Sequence, residues 1–309
     1  MTRDLSFDAA KGFGIYSVVL CHTVTFLGWE NEWLLHYITS YYMPIFFFIS
    51  GYFGYKEIFN PKKLIVKRFK ELIIPYFSVG LIINLCWCWV SDISFWNHYL
   101  TDESKGGFWF LLVLFVYFLI YGTAKYIAKQ NDNILLFILL ISYFVVFILA
   151  SIVPKDIGHL LTLNSIRKFF PIFIIGLLVR KYETMLKPWN TLCFAVSGSI
   201  YITILLLTSK IPEKTYLNMI LWSIGAIFGP IFYLNIFKRF RIPRTLFFFP
   251  GRYSLTIYIP LLIYRFIKIE YPVFCIWAYE YSYNQFESYC YRGNYNIIVL
   301  IYRISNPKL

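Results

Sequence analysis

A chain of 309 residues that is 59% hydrophobic, 22% aromatic and only 15% charged departs on both counts from a soluble domain, where about half the residues are apolar and about a quarter charged. With a mean hydropathy of +0.61, it is expected to be a polytopic membrane protein. The net charge of +13 sits in short basic clusters between apolar runs, the pattern of loops facing a cytoplasm and anionic lipid, which argues against a nucleic-acid partner.

The first apolar run, "DAAKGFGIYSVVLCHTVTFLGW" (8–29), carries an aspartate, a lysine and a histidine at membrane depth. The preceding "MTRDLSF" is short and no small-residue cleavage site follows, so a retained first span over 8–28 is expected rather than a signal peptide. Lys11 and His22 are eleven residues apart, three helical turns plus about 20°, so both project from one face about 16 Å apart along the axis. Asp8, Ile15, Val18 and Thr25 continue that stripe. A face carrying ionisable groups is expected to look into a bundle or a wet cavity, because exposure to lipid costs a few kcal/mol for each group. Lys11 paired with Asp8 also fits a plain anchor at the headgroups, whereas a histidine at depth suits a general base.

The next spans are expected at 40–57, 71–90, 108–126, 134–153, 165–180, 191–208, 219–236 and 246–266, all helical because hydrocarbon forces backbone groups to pair within a segment. The second, "YYMPIFFFISGYFGYK" (41–56), holds Pro44 and the pair Ser50–Gly51. That pair reads either as a close helix contact or as a break near the inner end. It is followed by "NPKKLIVKRFKELIIPYF" (60–77), which gathers Lys62, Lys63, Lys67, Arg68 and Lys70 at one boundary. These suit a positive-inside loop, and equally a ligand with several phosphates. With the N-terminus cytoplasmic, sixteen Lys and Arg fall in inner segments and six in outer loops, and that asymmetry sets the orientation.

The outer loop "SDISFWNHYLTDESKGG" (91–107) reads as solvated surface, with contact to a sugar through Trp96 and its carboxylates as the alternative, and His36 and His159 near outer ends need no special reading. The six cysteines, Cys21, Cys86, Cys88, Cys193, Cys275 and Cys290, lie mostly in apolar runs. They read as small packing residues, with no metal site and no disulfide framework expected. From about Lys268 the sequence turns tyrosine-rich and scattered in polarity, and "IIVLIY" covers barely two turns. An all-α bundle of nine to ten transmembrane helices is therefore expected over 1–267, with an atypical tail over 268–309. That tail reads as a poorly ordered end, an interfacial segment or an altered tenth helix.

Six motifs in order resemble the acyltransferase 3 family of integral-membrane acyltransferases, including the branch similar to fucose 4-O-acetylases. They are Lys11 to His22 within "DAAKGFGIYSVVLCH", "FFFISGYF" (46–53), "KRFKELIIPYF" (67–77), "GGFWFLLVLF" (106–115), "FFPIFIIGLLVRKY" (169–182) and "GRYSLTIYI" (251–259). Cys21 replaces a common glycine, Pro260 and Leu261 stand where many relatives have a histidine after Ile-Tyr, and the tail does not resemble the family's last helix.

The resemblance implies a membrane-embedded O-acyltransferase of the bacterial cytoplasmic membrane. Such an enzyme would move an acyl group, usually acetyl, from cytoplasmic acyl-CoA to a hydroxyl of a surface polysaccharide or lipid-linked sugar. Acetyl-CoA would be a donor substrate, with no bound cofactor. Carried over, His22 would be the general base or a transient acyl carrier, with Lys11 and Asp8 orienting donor or intermediate. Arg68, Lys67 and Lys70 would meet the CoA phosphates, and Ser50 and Gly51 would shape access between the first helices. Ser50 or Trp109 would serve the oxyanion or the acceptor. The competing readings are a precursor transporter or flippase, for which ionisable groups in a cavity are equally suited, and an inactive relative with an altered end.

Overall fold

The structure, a computed structural model, describes residues 4–26, 32–56, 60–91, 94–95, 102, 105–129, 131–187, 190–211 and 215–252. The chain divides into two units, Met1–Phe266 and Ile267–Leu309. The expected tail 268–309 and the second half of the last span lie outside the described residues.

All regular structure among the described residues is helical. The chain runs through α1 (Leu5–Phe26), α2 (Glu32–Thr39), α3 (Tyr42–Gly54) and α4 (Pro61–Arg68), then a π-helical turn (Phe69–Ile73) that leads without a break into α5 (Ile74–Ser91). A short 3-10 turn (Lys105–Gly107) precedes α6 (Trp109–Ala128), α7 (Asp132–Ile152), α8 (Lys155–Leu160), α9 (Leu163–Lys181) and α10 (Glu183–Leu186). Then come α11 (Asn190–Thr208), α12 (Tyr216–Arg239) and α13 (Arg241–Arg252). Eight of the nine expected spans fall on α1, α3, α5, α6, α7, α9, α11 and α12, and α13 overlaps the start of the ninth, whose remainder lies outside the described residues. Helices α6, α7, α11 and α12 are long and apolar enough to cross a membrane by length and composition. Helix α3 has only 13 residues, α9 holds Arg167, Lys168, Arg180 and Lys181, and α1 holds the ionisable stripe.

Local chemistry sets several boundaries. Asn60 caps α4 by accepting from the Lys63 N–H at 3.1 Å, with Pro61 at the first helical position where no N–H is needed. Asn131 caps α7 through the N–H groups of Asn133 and Ile134. Thr215 caps α12 through the N–H of Asn218. Lys129 closes α6 in the left-handed region at φ 45°, the usual way to satisfy a helix's last carbonyls.

The bundle's centre is aromatic. Phe47, Phe48, Tyr117, Tyr121, Phe170 and Phe173 are essentially inaccessible. The stacked pairs Phe47–Phe169 and Tyr117–Phe170, at 4.8 and 5.0 Å between centroids, tie α3, α6 and α9 together. Helix α7 lies on the periphery: it is the most apolar span, at mean hydropathy 2.9, yet only 11% of it is buried. Its Phe137, Phe144, Phe147 and Ile148 point outward, as a lipid-facing helix requires.

Glycines bring two helix pairs into backbone contact. A Cβ on Gly51 would collide with the Phe173 carbonyl, and one on Gly176 with the Phe48 carbonyl. Helices α3 and α9 therefore cross with nothing but hydrogen at either glycine. Gly12 and Gly251 play the same part for α1 and α13, against the carbonyls of Phe247 and Asp8. Such small-residue crossings hold membrane helices together, because lipid offers no hydrophobic drive between them.

Candidate active site

Asp8 is 4% exposed and sits one turn before Lys11, whose Nζ lies 3.3 Å from its carboxylate and 5.9 Å from the centre of the Phe53 ring. Ile15 and Val18, the middle of the stripe, are buried against Tyr76 of α5, Phe108 just before α6 and Leu111 in its first turn. His22, half-buried, follows one turn beyond Val18. The opposite side of α1 shows Tyr16 at 54% exposed. The middle of the stripe thus faces α5 and α6 and Lys11 lies by Phe53 of α3, while the other sides of α1 pack on α13 through Gly12 and Phe13 and on α3 through Phe13. Ser17, off the stripe, is bound to the Tyr41 hydroxyl at 2.9 Å, and Phe13 stacks on the Tyr41 ring at 5.0 Å.

The ends of the bundle differ in charge. At the end holding the start of α1, Phe7 packs on Tyr52 at 4.5 Å and Lys238 approaches the Phe7 ring at 5.3 Å. Arg180 donates to the Tyr52 hydroxyl at 3.2 Å and to Glu183. Lys125, 6% exposed, lies over the Tyr55 ring at 4.8 Å, and Lys181 pairs with Asp132 at 3.0 Å. These contacts draw the ends of α3, α6, α9 and α12 and the starts of α1 and α7 into one basic end. Cations held against ring faces keep their charge while their stems stay apolar.

Arg68 belongs to this basic end's second half. Gly122 of α6 meets Leu64 and Ile65 of α4, which sets α4 against the inner turns of α6. There the Arg68 guanidinium lies 4.2 Å from the Phe118 ring centre and donates to Glu71 at 2.8 Å. Its Nε is buried without a hydrogen-bond partner among the described residues, an unusual expense for so strong a donor. Lys67 reaches Glu71 at 3.7 Å, and Lys70 is exposed on the π-helical turn. A single π turn inside a helix often marks a functional position.

Of the other expected residues, Ser50 is half-buried on α3 and Gly51 is committed to the α9 crossing described above. Trp109 opens α6 at the far end from the basic cluster, stacked on Phe169 at 5.5 Å. The expected constellation is therefore spread along the bundle. Asp8, Lys11, Arg68, Lys67, Lys70 and Gly51 lie toward the basic end, while His22 and Trp109 lie toward the opposite one.

The opposite end holds neutral polar pairs. His36 Nε2 meets the Thr208 hydroxyl at 2.8 Å, Ser40 meets Tyr201 at 2.7 Å, and Tyr37 meets Tyr233 at 2.6 Å. Asn218 donates to the carbonyls of Thr208 and Ile211. A cavity of about 1090 Å³ opens beside them, walled by α2, α7, α9 and α12.

The model of the acyltransferase 3 family, described as an acyltransferase domain, matches residues 4–279. The chain belongs to the acyltransferase 3 family. The match takes in the whole ionisable stripe, the basic end and the cavity. Two curated proteins are similar to part of this acyltransferase 3 chain. The nodulation protein NolL of Mesorhizobium japonicum is 32% identical over 133 residues, covering 38% of this chain and 35% of the relative. The nodulation protein NolL of Sinorhizobium fredii is 30% identical over 138 residues, covering 38% and 36%. The similarity thus spans about a third of each curated relative. No solved structure matches this one.

Sequence reasoning did not single out Lys125, Arg180 or Lys238, counted only as cations of inner segments, nor the cavity residues Lys168 and Trp222. What distinguishes them is a partner distant in sequence, Tyr55, Tyr52, Phe7 or Trp222, which no local motif reveals. The nearest available signal was position: Lys125, Arg180 and Lys238 each fall at the inner end of an expected span, next to aromatic residues.

Proposed function

We propose that this chain is a membrane-embedded O-acyltransferase, taking an acyl group, acetyl first among candidates, from acyl-CoA at its basic end to a carbohydrate hydroxyl at the other. The observation that carries this reading is the course of the stripe. Within a domain of the acyltransferase 3 family, Asp8, Lys11 and His22 share a face of α1 whose middle, Ile15 and Val18, packs on α5 and α6, and that face runs from a cation-rich end toward a polar one.

The chemistry follows from that axis. A CoA head bears several phosphates and cannot enter hydrocarbon, so it stays among Arg68, Lys67, Lys70 and the neighbouring Lys125 and Arg180. The planar fork of Arg68, whose Nε has no hydrogen-bond partner among the described residues, suits bidentate contact with a phosphate. The pantetheine arm is slim and long enough to carry a thioester up the stripe. At His22 the imidazole accepts the proton of the acceptor hydroxyl as its oxygen adds to the thioester carbonyl. The C–S bond then breaks, and the thiolate leaves with the proton returned from the imidazolium. The Lys11–Asp8 pair holds charge at the lower end of the route and orients the donor. Trp109 and Ser50 stand as candidates on the acceptor and oxyanion sides. The basic end faces the cytoplasm of a bacterial cell, in keeping with the positive-inside rule.

Inside-out and right-side-out membrane vesicles containing the protein, given radiolabelled acetyl-CoA, test this reading. Label is expected in carbohydrate only where the basic end meets the donor. Equal labelling with and without the protein would contradict it, as would transport of unmodified carbohydrate as the sole activity.

A further inference from the structure

Tyr42 opens α3 at the end away from the basic cluster. It packs against the buried group of Ile15, Val18, Tyr76, Phe108 and Leu111, and so meets the middle of the α1 stripe. Helices α1 and α3 run antiparallel: Phe7 meets Tyr52, Gly14 lies against the Phe46 ring and Ser17 meets Tyr41. Stepping back one turn on α3, from Phe46 to Tyr42, corresponds to stepping forward one turn on α1, from Gly14 to Val18. Side chains on a helix lean toward its N-terminus. The Tyr42 ring therefore leans from the level of Val18 toward that of His22, while His22, one turn further on, leans back toward Val18. In keeping with this, the Tyr42 hydroxyl interacts electrostatically with Cys21, the residue before His22. The two adjacent tyrosines differ in their partners. The Tyr41 hydroxyl is bound to Ser17 at 2.9 Å, whereas the Tyr42 hydroxyl has no hydrogen-bond partner among the described residues, although the residue is half-buried.

A phenol held at membrane depth beside the stripe, with its O–H left over, is a donor waiting for an acceptor that the protein does not supply. We propose that Tyr42 is a further catalytic residue, whose O–H donates to the carbonyl oxygen of the acyl donor while His22 takes the proton of the acceptor hydroxyl. The inference deepens the acyltransferase reading and rests on it. As the acceptor oxygen bonds to the thioester carbon, the π pair of the C=O moves onto its oxygen. Tyr42 stabilises that negative charge and keeps its own proton. When the pair returns to remake the C=O, the C–S bond breaks and the thiolate takes the proton from the His22 imidazolium. A hydrogen bond to an oxyanion is stronger than one to a neutral carbonyl, so the contribution of Tyr42 falls on the transition state rather than on donor binding. Tyr42 is better placed for this than Ser50, which lies eight residues further along α3, about 12 Å nearer the basic end.

The test compares the full chain with Tyr42→Phe and Tyr41→Phe in membrane vesicles supplied with labelled acetyl-CoA. Tyr42→Phe removes one oxygen and keeps the ring. It is expected to lower kcat for transfer to carbohydrate about 100-fold, as loss of an oxyanion donor does. The KM for acetyl-CoA should stay within about threefold, and the melting temperature should not move. Tyr41→Phe breaks the bond to Ser17 and should do the reverse, lowering the melting temperature and leaving kcat within about threefold. A second readout needs no acceptor: the infrared carbonyl stretch of isotope-labelled acetyl-CoA bound to purified His22→Ala. It should lie below that of free acetyl-CoA and return toward it in His22→Ala/Tyr42→Phe. A native kcat in Tyr42→Phe, an equal loss of kcat in Tyr41→Phe, or a carbonyl stretch indifferent to Tyr42 would overturn the proposal. A native chain that transfers no acetyl, yet shifts the bound carbonyl through Tyr42, would sink the acyltransferase reading and leave the Tyr42 hydrogen bond standing.

Discussion

The crossing of α3 and α9 at Gly51 and Gly176 predicts a measurable coupling. A Cβ on Gly176 would lie 2.9 Å from the Tyr52 nitrogen and 3.0 Å from the Phe48 carbonyl carbon, and closer still to the Phe48 oxygen. One on Gly51 would lie 3.0 Å from the Phe173 carbonyl carbon and 3.2 Å from the Leu177 nitrogen, again closer to an oxygen. The obstacles are backbone atoms, so no side-chain rotation relieves them. To restore ordinary contact the helices must part by on the order of 1 Å. Gly51→Ala and Gly176→Ala should each destabilise the protein by about 1–3 kcal/mol, the usual range for overpacking. Once the helices have parted for one methyl, the second enters at less cost, so the double variant should fall short of the sum by about 1 kcal/mol or more. Gly158→Ala is the control: nothing lies within 4 Å of its would-be Cβ, and its effect should stay within about 0.5 kcal/mol. Equilibrium unfolding in a single detergent, read by near-UV circular dichroism, gives all four values. Near-neutral single variants, or strictly additive ones, would refute the backbone-contact account. The comparison also bears on donor binding. If Gly51 acts only through the crossing, Gly176→Ala should depress acyl transfer to the same degree.

Further outcomes follow from the buried polar groups and the basic end. Asp8→Asn leaves the half-buried Lys11 without its carboxylate and should destabilise the protein by about 2–4 kcal/mol, with Asp8→Asn/Lys11→Met recovering part of the loss, as unfolding of the three proteins would show. Tyr201→Phe leaves the Ser40 hydroxyl short of its 2.7 Å partner and should cost about 1–2 kcal/mol, while Ser40→Ala/Tyr201→Phe should cost less than the two single changes together. Arg68→Lys keeps the charge but loses the fork over Phe118. On the proposed function it should raise the KM for acyl-CoA several-fold with little change in kcat, and equal kinetics for the two proteins would argue against a donor role for Arg68.

Much of the fold was legible because membrane burial writes long apolar runs into sequence. Eight of the nine hydropathy segments fell on a described helix, and the start of the ninth fell on α13. The π turn was not legible: Phe69–Ile73 has no composition that separates it from the α-helix on either side, and its register is set by packing against α6. The stripe on α1 was readable from spacing alone, since 3.6-residue periodicity places Lys11 and His22 on one face. What that face meets is tertiary, and no local pattern names Phe108 or Tyr76. Gly51 shows the limit most clearly. "ISGYF" is compatible with a ligand-side break or with a close crossing, and only the position of the Phe173 carbonyl reveals the contact. The cavity escaped for the same reason, its walls coming from α2, α7, α9 and α12, which sequence proximity does not join.

The central claim is that acyl transfer is centred on His22. Its most direct test is the O-acetyl content of surface polysaccharide in cells making this chain or His22→Ala at matched membrane levels. Acetylation present with the native chain and lost with His22→Ala is the predicted result, and acetylation unchanged by the substitution would contradict the account.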